Sequence, residues 1–372
     1  MGDRLMELSD AEIERYSRQI VMDEIGFEGQ QKLKNSRVTV IGVGGLGSPI
    51  TQQLVAMGIG TVRIVDRDVV EISNLHRQVL YGDEDVGLSK AEAAHDRLRR
   101  INPQVSIEPL TLSINDDTVD EAIKNSDVVI DGLDSVSARY SINRACVRAN
   151  IPYIFGSAIV TTGSATSIIP GKTPCLECFQ PALKDDEMPK CGTEGVHPSI
   201  LSTISSVQVS EAVRIIIGKE PNLANRLFLA DISNLDYDKI KIKKQSRCNV
   251  CGPDADLTIK KSKRKLIEDI CGREGKSVHI ISPKENLEIH LEKLNQILEE
   301  EEIKIIRKGV LGTTFNYNEK ITVSIVTSGV SIIVGALVEK RALEIFSDII
   351  INKLKINPEK IHNEFEKVLQ IN

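Results

Sequence analysis

Arg37-Val-Thr-Val-Ile-Gly42-Val-Gly44-Gly45-Leu-Gly47-Ser48 decides the fold. A β-branched run breaks directly into glycines and then into a helical stretch over 48–57, so the segment reads as strand, tight turn, helix. Gly42, Gly44, Gly45 and Gly47 fit a G-x-G-x-x-G turn, whose glycines let the backbone approach phosphates while the next helix points its N-terminus at the negative charge. Working outward, the strand signal returns at 61–66. Asp66 ends that strand about 20 residues beyond the turn, where a carboxylate bonds ribose hydroxyls. Further strands are expected at 105–110, 128–131 and 153–155, with helices at 90–101 and 118–124. Strands alternating with helices imply a mainly parallel sheet covered on both faces, an α/β Rossmann-like domain.

The flanks extend this core. Ser9 and Glu12 have the spacing of a capping box, and a helical arm is expected over 9–34. The stretch 158–169 is Thr-rich and strand-like, and 202–217 reads as a helix. The nucleotide-binding domain is assigned to 1–257. A basic run, Lys260-Lys-Ser-Lys-Arg-Lys265, marks a solvated linker at 258–275. Residues 276–372 form a small α+β domain, with strands expected at 278–281, 303–307, 320–326 and 330–334 and helices at 287–302 and 339–353. That domain carries no Cys, His or carboxylate cluster of catalytic spacing, so recognition or assembly is expected there.

At 372 residues the chain is long enough for two or three domains. Its 47 basic and 53 acidic residues leave −6, which gives no electrostatic footprint for direct nucleic-acid binding. No apolar run of about 18 residues exists and the N-terminus lacks an apolar signal core, so no membrane role and a cytoplasmic location are expected. Four of the seven cysteines fall in Cys175-Leu-Glu-Cys178 and Cys248-Asn-Val-Cys251. Four thiolates suit a closed tetrahedral Zn²⁺ site, and the long separation of the pairs means the metal would clip distant segments together. No ligand position is left open, so the expected zinc is structural.

The loop after Asp66 separates ATP from a dinucleotide. Asp66-Arg67-Asp68 leads to Asn74-Leu-His76-Arg77-Gln78, dense in amide and guanidinium donors, and Lys90 stands at the start of a helix. Phosphoryl or nucleotidyl transfer needs such cations to neutralise a departing pyrophosphate, whereas a dehydrogenase has little use for them.

Arg15-Tyr-Ser-Arg18-Gln19, the glycine turn, Asp66-Arg-Asp68, Asn74-Leu-His-Arg77-Gln78, Lys90, Asp131-Gly-Leu-Asp134 and Cys191 before Gly195-Val196 occur in the order of a known family. Over about 9–255 the chain resembles the MoeB/ThiF/HesA family, adenylating enzymes related to ubiquitin-activating enzymes that act on ubiquitin-like sulfur carriers. The resemblance implies that Asp66 holds the ribose, that Asn74, Arg77 and Lys90 hold the phosphates of ATP, and that Asp134 holds Mg²⁺. It further implies a homodimer in which Arg18 reaches the partner subunit's phosphates. The family usually has asparagine after the second aspartate of the acidic loop, where this chain has Ser135.

Cys191 occupies the family's reactive-cysteine position in a polar, glycine-bearing loop, where a thiol is exposed or a bystander. His197 follows it in the same loop. Cys146, on an expected helix, reads as a packing residue. The expected activity is ATP-dependent adenylation of the C-terminal Gly-Gly carboxylate of a ubiquitin-like sulfur carrier protein. Because the tail lacks a cysteine in a rhodanese-type loop, a separate sulfur donor is expected. The alternatives are adenylation of a non-protein carboxylate (a modified tRNA base or a peptide) and a non-catalytic scaffold that binds a ubiquitin-like protein.

Overall fold

A computed structural model describes residues 6–185, 194–255, 266–273 and 276–362. Cys191 and the basic run 260–265 lie outside the described residues.

The N-terminal arm is helical in three pieces, α1 (Asp10–Arg15), α2 (Ser17–Ile20) and α3 (Gly26–Lys34). The capping box forms as expected, with Ser9 Oγ accepting from the Glu12 amide and the Glu12 carboxylate accepting from the Ser9 amide. The arm breaks at Tyr16 because that side chain is pulled inward. It is buried against Gly58, where an added Cβ would stand 2.4 Å from the ring, and its hydroxyl accepts from Asn102 Nδ2 at 2.7 Å.

The central sheet follows the expected alternation. It comprises β1 (Arg37–Ile41), β2 (Thr61–Val65), β3 (Ser106–Leu110), β4 (Val128–Asp131), β5 (Tyr153–Ile159), β6 (Thr162–Ile168), β7 (Arg226–Asp231) and β8 (Asp236–Lys241), in the order 3-2-1-4-5-6-7-8. β3, β2, β1, β4 and β5 run parallel, and β6 to β8 add on antiparallel. Helices α4 (Gly47–Met57), α5 (Lys90–Ile101) and α9 (Pro198–Ile216) bury Ile50, Leu54, Ala94, Leu98 and Ile204 against Val38, Val40, Ile64 and Ile130 on one face. On the other face α6 (Val119–Ile123), α7 (Val136–Ala149) and α8 (Leu176–Phe179) cover Ile41, Val65, Val129 and Phe155. Burial on both faces is why β1 and β4 read as continuous apolar runs.

The C-terminal domain is a second sheet of β9 (Ile267–Arg273), β10 (Lys276–Ile281), β11 (Ile305–Lys308), β12 (Gly312–Asn316), β13 (Thr322–Val326) and β14 (Ser331–Val334). Its order is 11-12-13-14-10-9, antiparallel throughout. β9 falls where a linker was expected over 258–275. The helix expected over 287–302 is α10 (Leu291–Glu300); residues 287 and 289 stay extended because their amides donate to Ser328 O and Thr327 O. The last expected helix is α11 (Glu339–Phe346), which passes into a π-helical turn, Ser347–Lys353, that keeps Ile349 and Ile350 in the core.

Candidate functional site

Strand order reverses between β1 and β4, and the crevice beyond the carboxyl ends of such strands is where open α/β sheets bind ligands. The glycine turn leaves β1 at this point. Gly42 has φ +84°, and a Cβ there would meet Gly132 O at 2.8 Å; at Gly47 a Cβ would meet Gly42 O at 1.7 Å. Gly44 is different. A Cβ on it would find only Gln78 Nε2, at 3.6 Å, so its backbone faces open space beside that amide.

Asp66, directly after β2, binds the turn. Its Oδ2 accepts from the Val43 amide at 2.8 Å and its Oδ1 from the Asp68 amide at 2.8 Å. Lys90, at the start of α5, is 5% exposed and lies 3.1 Å from Asp68 Oδ2. Burial, reinforced by the charge of Asp68 and opposed by Lys90, holds the Asp66 carboxyl above the ordinary aspartate value. Burial works against the Lys90 ammonium, but the charges of Asp68 and Asp66 outweigh it and hold that group above the ordinary lysine value. The result is a lysine that stays charged in a nearly dry setting.

The loop between them carries polar atoms with nothing to bond. Asn74 Oδ1, Gln78 Oε1 and Ser89 Oγ are buried without a hydrogen-bond partner among the described residues. Buried polar atoms are generally paired, and although Asn143 Nδ2, Gln208 Oε1 and Ser282 Oγ also lack a partner, three such atoms gathered beside a phosphate-type turn fit a polar ligand. Tyr81, which sequence reasoning passed over, ties loop to turn, its hydroxyl donating to Val43 O at 2.8 Å. Arg77 departs from expectation. Its Nη1 donates to Ser73 O at 2.7 Å, folding the guanidinium back on its own 3₁₀ turn, Ile72–Asn74.

Two aspartates follow one another out of β4. Asp131 is fully buried and saturated: Oδ2 accepts from Arg139 Nε at 2.9 Å and Tyr153 OH at 2.8 Å, and Oδ1 accepts from the Leu133 amide at 2.8 Å. Gln208 Nε2 donates to the Asp131 carbonyl at 2.8 Å. Asp134 is exposed and makes no hydrogen bond among the described residues, while Arg67, Lys90 and Arg139 all feel its charge. A free carboxylate at a strand's C-terminal end fits a hard cation. Ser135 N-caps α7, accepting from the Ala138 amide, and Asp185 accepts from the amides of Val136 at 2.5 Å and Ser137 at 3.3 Å.

The four paired cysteines meet. Their sulfurs lie within 4.8 Å of one another, with Cys175–Cys248 at 3.6 Å and Cys178–Cys251 at 3.4 Å. A tetrahedron of bonds near 2.3 Å requires sulfurs about 3.8 Å apart, so the cluster has the dimensions to hold a metal ion. Burial pushes the Cys175 thiol up, as do the charges of the other three cysteines, and burial raises Cys251 to about 11. Cys248 moves the other way: burial opposes its thiolate, but hydrogen bonds from the Cys251 and Val250 amides outweigh that and hold it below the ordinary thiol value. Cys146 is fully buried, as expected for packing. His197 Nδ1 accepts from the Ser199 amide as the N-cap of α9. Arg18 is exposed on α2, and Val21, Met22 and Phe27, which follow it in the chain, are exposed as well. Among the described residues no helix is long and apolar enough to cross a membrane.

The profile of the ThiF family matches residues 16–250. The SAMP-activating enzyme E1 of Haloferax volcanii is 39% identical over 248 residues, 66% of this chain and 92% of that protein. An adenylyltransferase and sulfurtransferase MOCS3 from Drosophila ananassae is 39% identical over 254 residues, 68% of this chain but only 56% of its own length. Among solved structures, E. coli MccB with MccA-N7isoASN superposes with a TM-score of 0.58 at 26% identity, covering 64% of this chain and 74% of that one. PaaA gives 0.56 at 28% identity, covering 66% and 78%.

Proposed function

The chain belongs to the ThiF family, and we propose from that premise that it uses ATP to adenylate the C-terminal Gly-Gly carboxylate of a ubiquitin-like sulfur carrier protein. It is an adenylyltransferase of the MoeB/ThiF type. The observation that carries the reading is the convergence at one switch point of the glycine turn, Asp66, the buried Lys90 and an exposed Asp134 that makes no hydrogen bond among the described residues.

In this reading Asp66 accepts from the ribose hydroxyls, and the amides of the glycine turn approach the phosphates. The carrier's carboxylate, already ionised at neutral pH, attacks the α-phosphorus; a carboxylate O–P bond forms, the bond to the bridging oxygen breaks, and pyrophosphate leaves. Lys90 and Asn74 stabilise the charge on the moving phosphoryl group, and Arg77 joins them by giving up its bond to Ser73 O. Asp134 would hold Mg²⁺, which neutralises charge on the triphosphate. Cys175, Cys178, Cys248 and Cys251 would hold Zn²⁺ in a closed, structural site that pins the β6–α8 connection to the segment beyond β8. Cys191 is the candidate for covalent or sulfur chemistry with the carrier. The sulfur donor is a separate protein, and the setting is cytoplasmic.

A homodimer supported by the apolar side chains that follow Arg18 would place that guanidinium on the partner subunit's phosphates. Arg18→Ala and Lys90→Ala dimers would then each be nearly inactive, and mixing them would restore roughly a quarter of the parent activity, because half of all dimers are mixed and each has one intact site. A second reading, adenylation of a non-protein carboxylate such as a peptide, has the MccB likeness in its favour, since those structures pair MccB with MccA. The greater identity of the SAMP-activating enzyme favours a protein carrier. The deciding experiment captures small proteins with ATP and Mg²⁺ and measures ATP–pyrophosphate exchange. Exchange that depends on a captured ubiquitin-like protein and disappears when its terminal Gly-Gly is removed supports the carrier reading. Equal exchange with a short free peptide overturns it.

A further inference from the structure

The C-terminal sheet lies outside the family match, yet it is clamped onto the nucleotide loops. One of its faces packs on α10 and α11 through Phe315, Val323, Ile325 and Ile333. The other, with Val278, Ile280, Val326 and Ile332, closes over Val69, which stands between Asp66 and Asn74. The polar contacts fall on the same ground: Thr314 Oγ1 donates to Gly87 O at 2.8 Å, and the Glu92 carboxylate on α5 accepts from the amides of Val310 at 2.7 Å and Leu311 at 2.8 Å.

One of these contacts reaches a charge inside the site. Arg67, flanked by Asp66 and Asp68, donates from Nη2 to Glu268 Oε2 at 2.8 Å and from Nη1 to Glu268 Oε1 at 3.1 Å, with Ser113 Oγ at 2.9 Å from the same Nη1. Glu268 is on β9 of the C-terminal sheet. We infer that Glu268 is a positioning residue for the nucleotide site: its bidentate grip on Arg67 fixes the direction of a guanidinium that also feels the charges of Asp68 and Asp134. The inference rests on the ATP reading of that site.

The physical case is a competition for one cation. The fork geometry of guanidinium and carboxylate fixes direction as well as distance. Without it, Arg67 would be drawn to Asp68, which Lys90 pairs with, or to Asp134, which is free for a cation. Glu268 is 44% exposed and Arg67 24%, and an ion pair with one solvent-facing partner contributes modestly to folding. Its loss should therefore appear in nucleotide binding rather than in stability, which separates positioning from a merely structural role.

The test uses the full chain and MgATP, with dissociation constant, kcat for exchange and Tm measured together. Glu268→Gln should weaken MgATP binding roughly tenfold, leave kcat within about twofold and leave Tm unchanged. The double variant Arg67→Met with Glu268→Gln should bind no more weakly than Arg67→Met alone, because Glu268 acts only through Arg67. Parent-like binding by Glu268→Gln, or additive losses in the double variant, overturns the inference. A parent protein that binds no MgATP would instead overturn the nucleotide reading beneath it. Parent binding that is lost in Asp66→Ala secures that reading, so that the Glu268 result bears on the inference alone.

Discussion

Asp131 and Asp134 leave the same strand, yet one is sealed and the other is free. Asp131 has Arg139, Tyr153 and a backbone amide on its two oxygens and no exposed surface. Asp134 has solvent and three cations within electrostatic reach, but no hydrogen bond among the described residues. The contrast teaches which carboxylate does what. A buried charge must be fully paired to be tolerated, so saturation marks a structural group, while an unsaturated carboxylate at a switch point is available to a ligand.

Substitution at Asp134 strains this contrast most. Asp134→Ala should lower ATP–pyrophosphate exchange by about three orders of magnitude, the scale of removing a principal charge-stabilising group, with Tm shifted by no more than about 2 °C. Near-parental exchange would place the metal ligand elsewhere. Asp131→Ala should do the reverse, and by somewhat less in energy: leaving Arg139 buried without its carboxylate costs about 3 kcal/mol of stability, read by denaturant unfolding. Unchanged stability would mean that the saturated network is dispensable.

Asp66 stands between the two cases. Both of its oxygens accept backbone amides, yet it faces the crevice, and burial, with the charge of Asp68, raises its value while Lys90 opposes them. A raised folded value means that its contribution to folding is present below the unfolded value and is lost as pH rises through the folded one. Ionised Asp66 therefore costs folding free energy, and in the proposed reading protonation removes the charge that would accept from ribose. The expected result is a few-fold loss of MgATP affinity as pH falls, with a midpoint above the ordinary aspartate value of about 3.9. In Asp66→Asn this acidic limb should flatten. An identical limb in that variant would assign the titration to another group.

Sequence carried the nucleotide side of this site but not its supports. The turn and Asp66 are legible from their offsets to strand ends, Lys90 from its place at a helix start, and the cysteine pairs because their spacing is local, whereas Asp134 is named by the family resemblance. The supports of Asp131 come from α7, β5 and α9, at distances along the chain that no local pattern encodes. Arg77 is singled out by the donor-dense loop and given the phosphates by the resemblance, but a side-chain rotamer is not a sequence property. Strands β7, β8, β9 and β12 were missed for a related reason. Asp236–Lys241 is exposed at every position, so it carries no hydrophobic alternation to read, and beyond its backbone pairing with β7 it offers the stacking of Tyr237 on Phe228. Glu268 sits in one of these missed strands, and the linker reading over 258–275 hid its reach toward Arg67.

The smallest expected effect lies one residue beyond Asp134. Ser135 replaces the family's usual asparagine, and both residue types are good N-caps. In the structure Ser135 is extended, with φ −98° and ψ 128°, and its Oγ accepts from the Ala138 amide at 3.4 Å, a long bond. Asp185 takes the amides of Val136 and Ser137, so only one donor of the first turn of α7 depends on Ser135. Ser135→Ala should therefore cost about 0.5–1 kcal/mol of stability, the low end for losing a cap, and leave exchange within about twofold of the parent. Ser135→Asn should restore the cap and the stability together. If Ser135→Ala instead lost exchange on the scale of Asp134→Ala while keeping its stability, the hydroxyl would belong to the nucleotide site, and the boundary between sealed and free groups would fall at Leu133 rather than on either side of Asp134.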